Sequence, residues 1–307
     1  MEFKHYSVMA CEAINGLNVN PEGIYVDCTL GGAGHTKLIL QRLTSGGRVI
    51  GIDRDSEAID FVKQTVTDER LLLYHDNFEN IAQAVDFYGY KAIDGVLIDL
   101  GVSSYQLDNA ERGFSYTKEA PLDMRMNRAD KLTAYEVVNG YQQSELERIF
   151  YEYGEEKFSR RIAEKIIVRR EQNPIQTTTA LAEIIASAIP KSVKFDGHPA
   201  KRCFQAIRIE VNSELEVIAK TIKSAIELLK SGGRIVVISF HSLEDRIVKT
   251  TFQGLVLPCT CPKDFPCVCG KTPVIKTVSK KVIQPSEREN NENSRSHSAK
   301  LRIAEKI

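Results

Sequence analysis

No apolar run in the 307-residue chain approaches the ~20 residues of a membrane-spanning helix. Residues 1–14 lack the apolar core of a secretion signal. The sequence therefore predicts a cytoplasmic protein with no membrane partner. A net charge is missing as well, since 41 Lys and Arg balance 41 Asp and Glu. That balance argues against a uniformly basic surface made for nucleic acid. There is no regular disulfide or metal framework either. Of seven cysteines, Cys11, Cys28 and Cys203 are scattered and read as small buried hydrophobes. The others form Cys259-x-Cys261 and Cys267-x-Cys269 around Pro262 and Pro266. Four thiolates could hold a zinc. The Cys-x-Cys bite is tighter than Cys-x-x-Cys, however, and no histidine lies nearby, so no metal is assigned and the cluster reads first as a reduced surface loop.

What is present describes a globular chain of one large or two ordinary domains, 42% hydrophobic and 27% charged. Its charge is locally uneven. Lys157, Arg160, Arg161, Lys165, Arg169, Arg170, Lys191, Lys194, Lys201, Arg202 and Arg208 face only Glu164, Glu171, Glu183 and Asp196 in the same stretch. The tail after Gly270 is basic too. Such faces inside a neutral chain suit a polyanionic substrate, with a solvated helix face as the plainer alternative.

The segment Gly23–Asp55 carries the most information. An apolar run, Ile24-Tyr25-Val26, ends in Asp27. The turn Gly31-Gly32-Ala33-Gly34 follows, then a helix pattern, then a second apolar run, Arg48 to Ile52, ending on Asp53. This is a nucleotide-binding β-loop-α-β unit. Glycines let the chain turn tightly and let a ligand approach backbone N–H groups. An acid about twenty residues beyond the turn can accept hydrogen bonds from ribose hydroxyls. A dinucleotide site would want a third glycine where Lys37 stands. Asp27 would repel a pyrophosphate but suit a cation. The pair Asp27/Asp53 therefore favours S-adenosylmethionine, with its sulfonium and ribose, over NAD. A purely structural glycine turn remains an alternative at this point.

Downstream, Ser56–Thr67 reads as a helix, Leu71–His75 as a third strand, Ile81–Tyr88 as a helix, and Gly95–Ile98 as a fourth strand ending on Asp99. Alternating strands and helices predict an α/β doubly wound parallel sheet whose carboxyl ends share one crevice. Asp27, Asp53, Phe78 and Asp99 all stand at such ends. From Tyr105 to Asn212 the pattern is helical with no strand. Residues 105–212 are therefore expected to form an inserted helical, substrate-recognising domain within a sheet domain of residues 1–104 and 213–307. The sheet resumes after a helix at Glu214–Leu229 and a Ser231-Gly232-Gly233 turn, with Ile235–Phe240 as a strand. Val274–Ile283 and Lys300–Ala304 are further strand candidates, and polar Pro285–His297 reads as a mobile loop.

These residues also resemble a known family almost end to end. The matching segments are HYSVM at 5–9, the glycine unit, DLGVSS at 99–104, RGFS at 112–115, PLDMRM at 121–126, GEEKF at 154–158, HPAKR at 198–202, FQAIRIEVN at 204–212, SFHSLEDRIVK at 239–249 and SAKLR at 298–302. The chain resembles the bacterial 16S rRNA (cytosine-N4)-methyltransferases, the RsmH or MraW family. The resemblance implies a class I S-adenosylmethionine-dependent methyltransferase, Rossmann-like with an inserted helical domain, that methylates the N4 amine of one cytidine in the decoding region. It implies 16S rRNA in the small ribosomal subunit as partner and admits a homodimer. Carried over by position, the cofactor contacts are Ala33, Gly34, His35, Asp53, Phe78, Asp99 and Gln106. Tyr105, Asn127, Ser294 and His297 depart from the family pattern without touching the cofactor acids.

The cytosine N4 lone pair is delocalised, so alignment with the methyl carbon and a nearby proton acceptor are needed. Asp99 is the expected catalytic acceptor. The Asp/Asn-Pro-Pro-aromatic motif of other amino-methyltransferases is absent there, which leaves a pure cofactor role for Asp99 open. The target must leave its stack; Phe114 and Tyr116 are candidates to hold it, and Arg125, Lys201, Arg202 and Arg208 to hold phosphates. Two rivals stand beside this reading: an NAD-dependent oxidoreductase, and a non-catalytic cofactor-binding ribosome assembly factor.

Overall fold

The structure is a computed structural model that describes residues 7–190, 192–193, 197–259, 261, 268–279 and 281–307. His5, Tyr6, Lys191, Lys194, Asp196, Pro262, Pro266 and Cys267, singled out above, lie outside the described residues. The chain forms two compact units, one of Met1–Gly101 with Leu215–Ile307 and one of Val102–Glu214.

The first unit is built on strands β1 (Ile24–Asp27), β2 (Arg48–Asp53), β3 (Leu71–His75), β4 (Ile93–Asp99), β5 (Leu229–Ser239), β6 (Ile275–Thr277) and β7 (Lys300–Lys306). They lie in the order β3-β2-β1-β4-β5-β7-β6. Pairings among β1 to β5 are parallel, and β7 runs antiparallel to both β5 and β6. This is the doubly wound sheet expected of a class I methyltransferase. Side chains alternate across it with period two. Val26, Ile50, Ile52, Val96, Ile98, Ile235 and Val237 enter one core. Helices α4 (Ile81–Phe87), α11 (Glu214–Leu228) and α12 (Ser242–Val256) supply the rest of that core. Tyr25, Val49, Leu97, Val236 and Ile238 enter the other, with α1 (Ala10–Leu17) and α2 (Gly34–Leu40). A sheet covered on both faces needs the nearly continuous apolar strands seen here. Since β1 sits between β2 and β4, the winding reverses beside it, and ligands of such sheets bind at that reversal.

Three local readings are corrected. Ser231-Gly232-Gly233 is not a separate turn; it lies within β5, where the register slips between the pairs Ile93–Leu229 and Gly95–Arg234. The strand expected over Val274–Ile283 is only Ile275–Thr277, with Ile283 making an isolated bridge to Leu301. The polar stretch Pro285–His297 is not a loop but folds into a helix at Glu287–Glu292 and a 3₁₀ turn at Ser294–Ser296. The Ser286 hydroxyl caps that helix by accepting from the Glu289 N–H, Glu289 accepts from the Met9 N–H at 2.6 Å, and Ser296 is fully buried. Hydrophilic composition concealed these polar anchors.

The second unit contains α5 (Ser104–Asp108), α6 (Ala134–Gly140), α7 (Gln143–Glu152), α8 (Ser159–Gln172), α9 (Thr178–Ala188) and α10 (Lys201–Asn212). Leu146, Ile149 and Phe150, Ile162 and Ile166, Leu181 and Ile185, and Phe204, Ile207 and Val211 fill one core at helical spacing. Its long loops are tied by polar bonds. The buried Arg112 donates to the carbonyls of Arg125 (3.0 Å) and Met126 (2.9 Å). Asn212 accepts from the Met126 N–H (2.7 Å) and donates to the Met124 carbonyl (2.8 Å). Gly113 is left-handed at φ 72°, and a Cβ there would stand 2.3 Å from the Pro121 carbonyl. The motifs at 112–115, 121–126 and 204–212 thus share one structural network.

Candidate active site

The carboxyl ends of β1, β2, β4 and β5 bring together most of the chemistry of the sheet unit. Asp27 is buried and fully engaged. Thr36 Oγ1 donates to its Oδ2 at 2.6 Å, and the Thr29 N–H donates to its Oδ1 at 3.1 Å. Burial raises its pKa, against those two donors. Asp27 therefore anchors the first turn of α2 rather than facing a ligand. Thr29 continues the strut by accepting from the Asp99 N–H at 2.7 Å.

The glycine turn is left-handed at Gly31 (φ 48°) and Ala33 (φ 61°). A non-glycine residue in that region carries ~1–2 kcal/mol of strain. Gly34 has ordinary dihedrals, and its role is close approach: a Cβ there would fall 1.9 Å from Ser7 Oγ. Asp53 accepts from the N–H groups of Gly31 (2.8 Å) and Asp55 (2.9 Å). Burial lifts its pKa to about 6, opposed by those N–H groups and reinforced by the charges of Asp55 and Asp27. Each oxygen retains acceptor capacity, which fits a ribose diol.

Asp99 differs from its neighbours. Its Oδ1 is buried with no hydrogen-bond partner among the described residues. Its Oδ2 lies 3.7 Å from His35 Nδ1. Burial raises its pKa to about 7; His35 opposes the rise, and Asp27 and Glu244 add to it. His35 Nε2 is 3.0 Å from the Val8 carbonyl, which only accepts, so that nitrogen is assigned the proton and Nδ1 faces Asp99. A carboxyl poised near neutrality beside an imidazole can bind and release a proton at working pH.

Two members of this cluster escaped the sequence reading. Glu244 is 1% exposed and accepts from the N–H of Phe240 at 2.7 Å. His241 Nε2 stands 3.0 Å from Glu244 Oε1. Both follow β5, the strand beside β4, so the strand-end logic that selected Asp99 applied to them equally. Phe78 opens a 3₁₀ turn after β3 and lies half-buried against the core that includes Ile81.

The remaining candidates lie in the helical unit. Gln106 is buried, and its Oε1 accepts from the Ser103 N–H in a reciprocal cap of α5. The base-stacking role expected of Phe114 is corrected: its ring belongs to the helical core. Tyr116 already stacks on His198, with centroids 4.8 Å apart and planes at 16°. Arg125 and Arg208, the other phosphate candidates, are already paired within the protein. Arg125 forms a bidentate pair with Asp123 and also donates to the carbonyls of Arg128 and Asp130. Arg208 forms a bidentate pair with Glu214. Lys201 and Arg202, at the start of α10, are exposed.

Among the described residues no helix is long and apolar enough to cross a membrane. Residues 2–307 match the family model described as the MraW methylase family. Proteins named "Ribosomal RNA small subunit methyltransferase H" from Clostridium botulinum strains Loch Maree and Kyoto are 56% and 55% identical over 309 residues, covering 100% of each chain. A solved structure described as a putative rRNA-methylase from Clostridium thermocellum aligns over 98% of this chain and 99% of its own, at 13% identity and TM-score 0.47.

Proposed function

The chain belongs to the MraW methylase family, and we propose that it methylates the exocyclic N4 amine of a cytidine in the small-subunit ribosomal RNA, with S-adenosylmethionine as donor. The RNA class follows the relatives' name, and the N4 position follows the sequence resemblance. The single observation that carries the chemistry is Asp99, a carboxyl with an unpartnered buried oxygen at the point where the sheet's winding reverses.

The residues fit the donor. Asp53 has acceptor capacity for a ribose, Ala33, Gly34 and His35 form the turn where backbone can approach a ligand closely, and Phe78 offers a half-buried ring for adenine. S-adenosylmethionine supplies a methyl group on a sulfonium. The protein's own part is alignment and proton handling. Asp99 accepts a hydrogen bond from the N4 amine, which draws electron density toward nitrogen, and it takes the proton that nitrogen must lose. His35 Nδ1 lies 3.7 Å from the same carboxyl. Lys201 and Arg202 attract the RNA backbone.

The test is transfer of labelled methyl groups to small subunits and to naked rRNA, with nucleoside mass spectrometry of the product. N4-methylcytidine in the 16S rRNA of either substrate is expected. Cofactor binding without methyl transfer to either would establish the non-catalytic assembly factor instead.

A further inference from the structure

The segment between α12, ending at Val256, and β6, beginning at Ile275, contains no helix or strand among its described residues. It exceeds the ~12–15 residues at which unstructured connections become uncommon in compact domains. Its ends are pinned, since the Val274 N–H donates to the Leu255 carbonyl at 3.0 Å. Among its described residues the apolar side chains do not hold it together: Leu257 is 75% exposed and Val268 89% exposed. Yet the Sγ atoms of Cys259, Cys261 and Cys269 all lie within 4.8 Å of one another. Burial of the described apolar side chains does not account for that convergence.

We propose that Cys259, Cys261 and Cys269 bind a zinc ion that braces this loop. The sulfurs of a tetrahedral zinc–thiolate site, at roughly 2.3 Å from the metal, stand ~3.8 Å apart, which falls within the observed separation. Gly270 has φ 62°, so the backbone can reverse immediately after Cys269. A single disulfide among the three would leave the third sulfur without a role. Binding displaces a proton from each thiol to solvent and changes no oxidation state. Cys267 lies outside the described residues, and the three described thiols alone carry the assignment. The zinc lies apart from methyl transfer in purpose: it replaces a hydrophobic core that the described residues of this loop lack.

The full chain, reduced and stripped of metal, is loaded with zinc, passed over a chelating resin and assayed by mass spectrometry for metal content. About one zinc per chain is expected. Cobalt loading of the same protein should give sulfur-to-cobalt charge-transfer absorption and the intense visible bands of a tetrahedral ion. Zinc should be lost in the C259S/C261S/C269S variant and retained in C11S, whose thiol is exposed and outside the cluster. A metal-free wild-type chain with every thiol intact overturns the site. So do a thiol count short by a pair, which marks a disulfide, and full zinc retention by the triple variant. Because the cobalt spectrum is read on the wild-type protein, misfolding of a variant cannot mimic a negative result.

Discussion

Replacing Asp99 by Asn should remove activity and raise stability, and the two effects should have different pH dependences. The carboxyl is held from its ordinary 3.8 up to about 7 in the folded chain. A carboxylate with a raised folded pKa contributes most stability below its unfolded pKa and loses it as pH rises to the folded value. Roughly 3 units at ~1.4 kcal/mol each give ~4 kcal/mol of destabilisation above pH ~7. About a quarter of the side chain is open, at 24% exposure, and solvent screening there halves the figure to ~2 kcal/mol. Asn cannot ionise, so Asp99→Asn should unfold ~4–8 °C higher than the parent at pH ~8. The difference should shrink toward zero as pH falls to ~4. Turnover at saturating cofactor should drop ~10²–10⁴-fold, with loss of a rising limb of activity near pH 7. Calorimetry across pH and a methyl-transfer assay test both halves. Near-normal turnover would refute the catalytic role, and a pH-independent stability difference would refute the buried-carboxylate argument.

S-adenosylmethionine should bind more tightly as pH rises through about 6 and 7, where Asp53 and Asp99 ionise; titration calorimetry in buffers of different ionisation heat should detect proton release, and its absence would mean neither acid faces the cation. Thr36→Val removes the 2.6 Å donor to the buried Asp27 and should cost ~1–3 kcal/mol in denaturant unfolding, since the carboxylate is left short of a partner. Gly113→Ala forces a side chain into a left-handed residue 2.3 Å from the Pro121 carbonyl. It should destabilise the helical unit by at least ~2 kcal/mol, seen as faster proteolysis between residues 102 and 214. Neutralising exposed Lys201 and Arg202 should flatten the salt dependence of RNA binding by ~0.7 per contact. Arg208→Gln should leave that slope unchanged, because its guanidinium is already paired with Glu214.

The sheet was legible because it obeys local rules. Apolar strands covered on both faces stand out from sequence, and the acid after each marks the end where ligands bind. Asp53 and Asp99 were reached that way, and Glu244 could have been. The misplaced side chains have a common physical cause. Nothing within RGFS distinguishes an aromatic that enters a core from one that meets a base, so Phe114 stood as a candidate to stack on the target. Arg125 and Arg208 looked available because positive charge is visible in a sequence while its pairing is not. Asp123, two residues before Arg125, and Glu214, six after Arg208, neutralise them. The cysteine cluster shows the converse: its unusual spacing counted against a metal in the sequence, whereas distance between sulfurs is what coordination requires.

Asp27 and the proposed proton acceptor Asp99 separate an acid matched within the fold from one that is not. Both end adjacent parallel strands of the same sheet, both experience burial, and both have raised pKa values. Position alone therefore cannot separate their roles. Hydrogen bonding does. Asp27 receives Thr36 and Thr29, so its carboxylate is matched to donors inside the fold. Asp99 keeps a buried oxygen without a partner and faces the ring of a histidine whose other nitrogen is already committed to Val8. An unmatched buried carboxyl oxygen is destabilising, and a fold retains it where a ligand completes the set. Supplying a donor from the protein itself should therefore stabilise the fold and, on the role proposed for Asp99, inhibit methyl transfer at the same time.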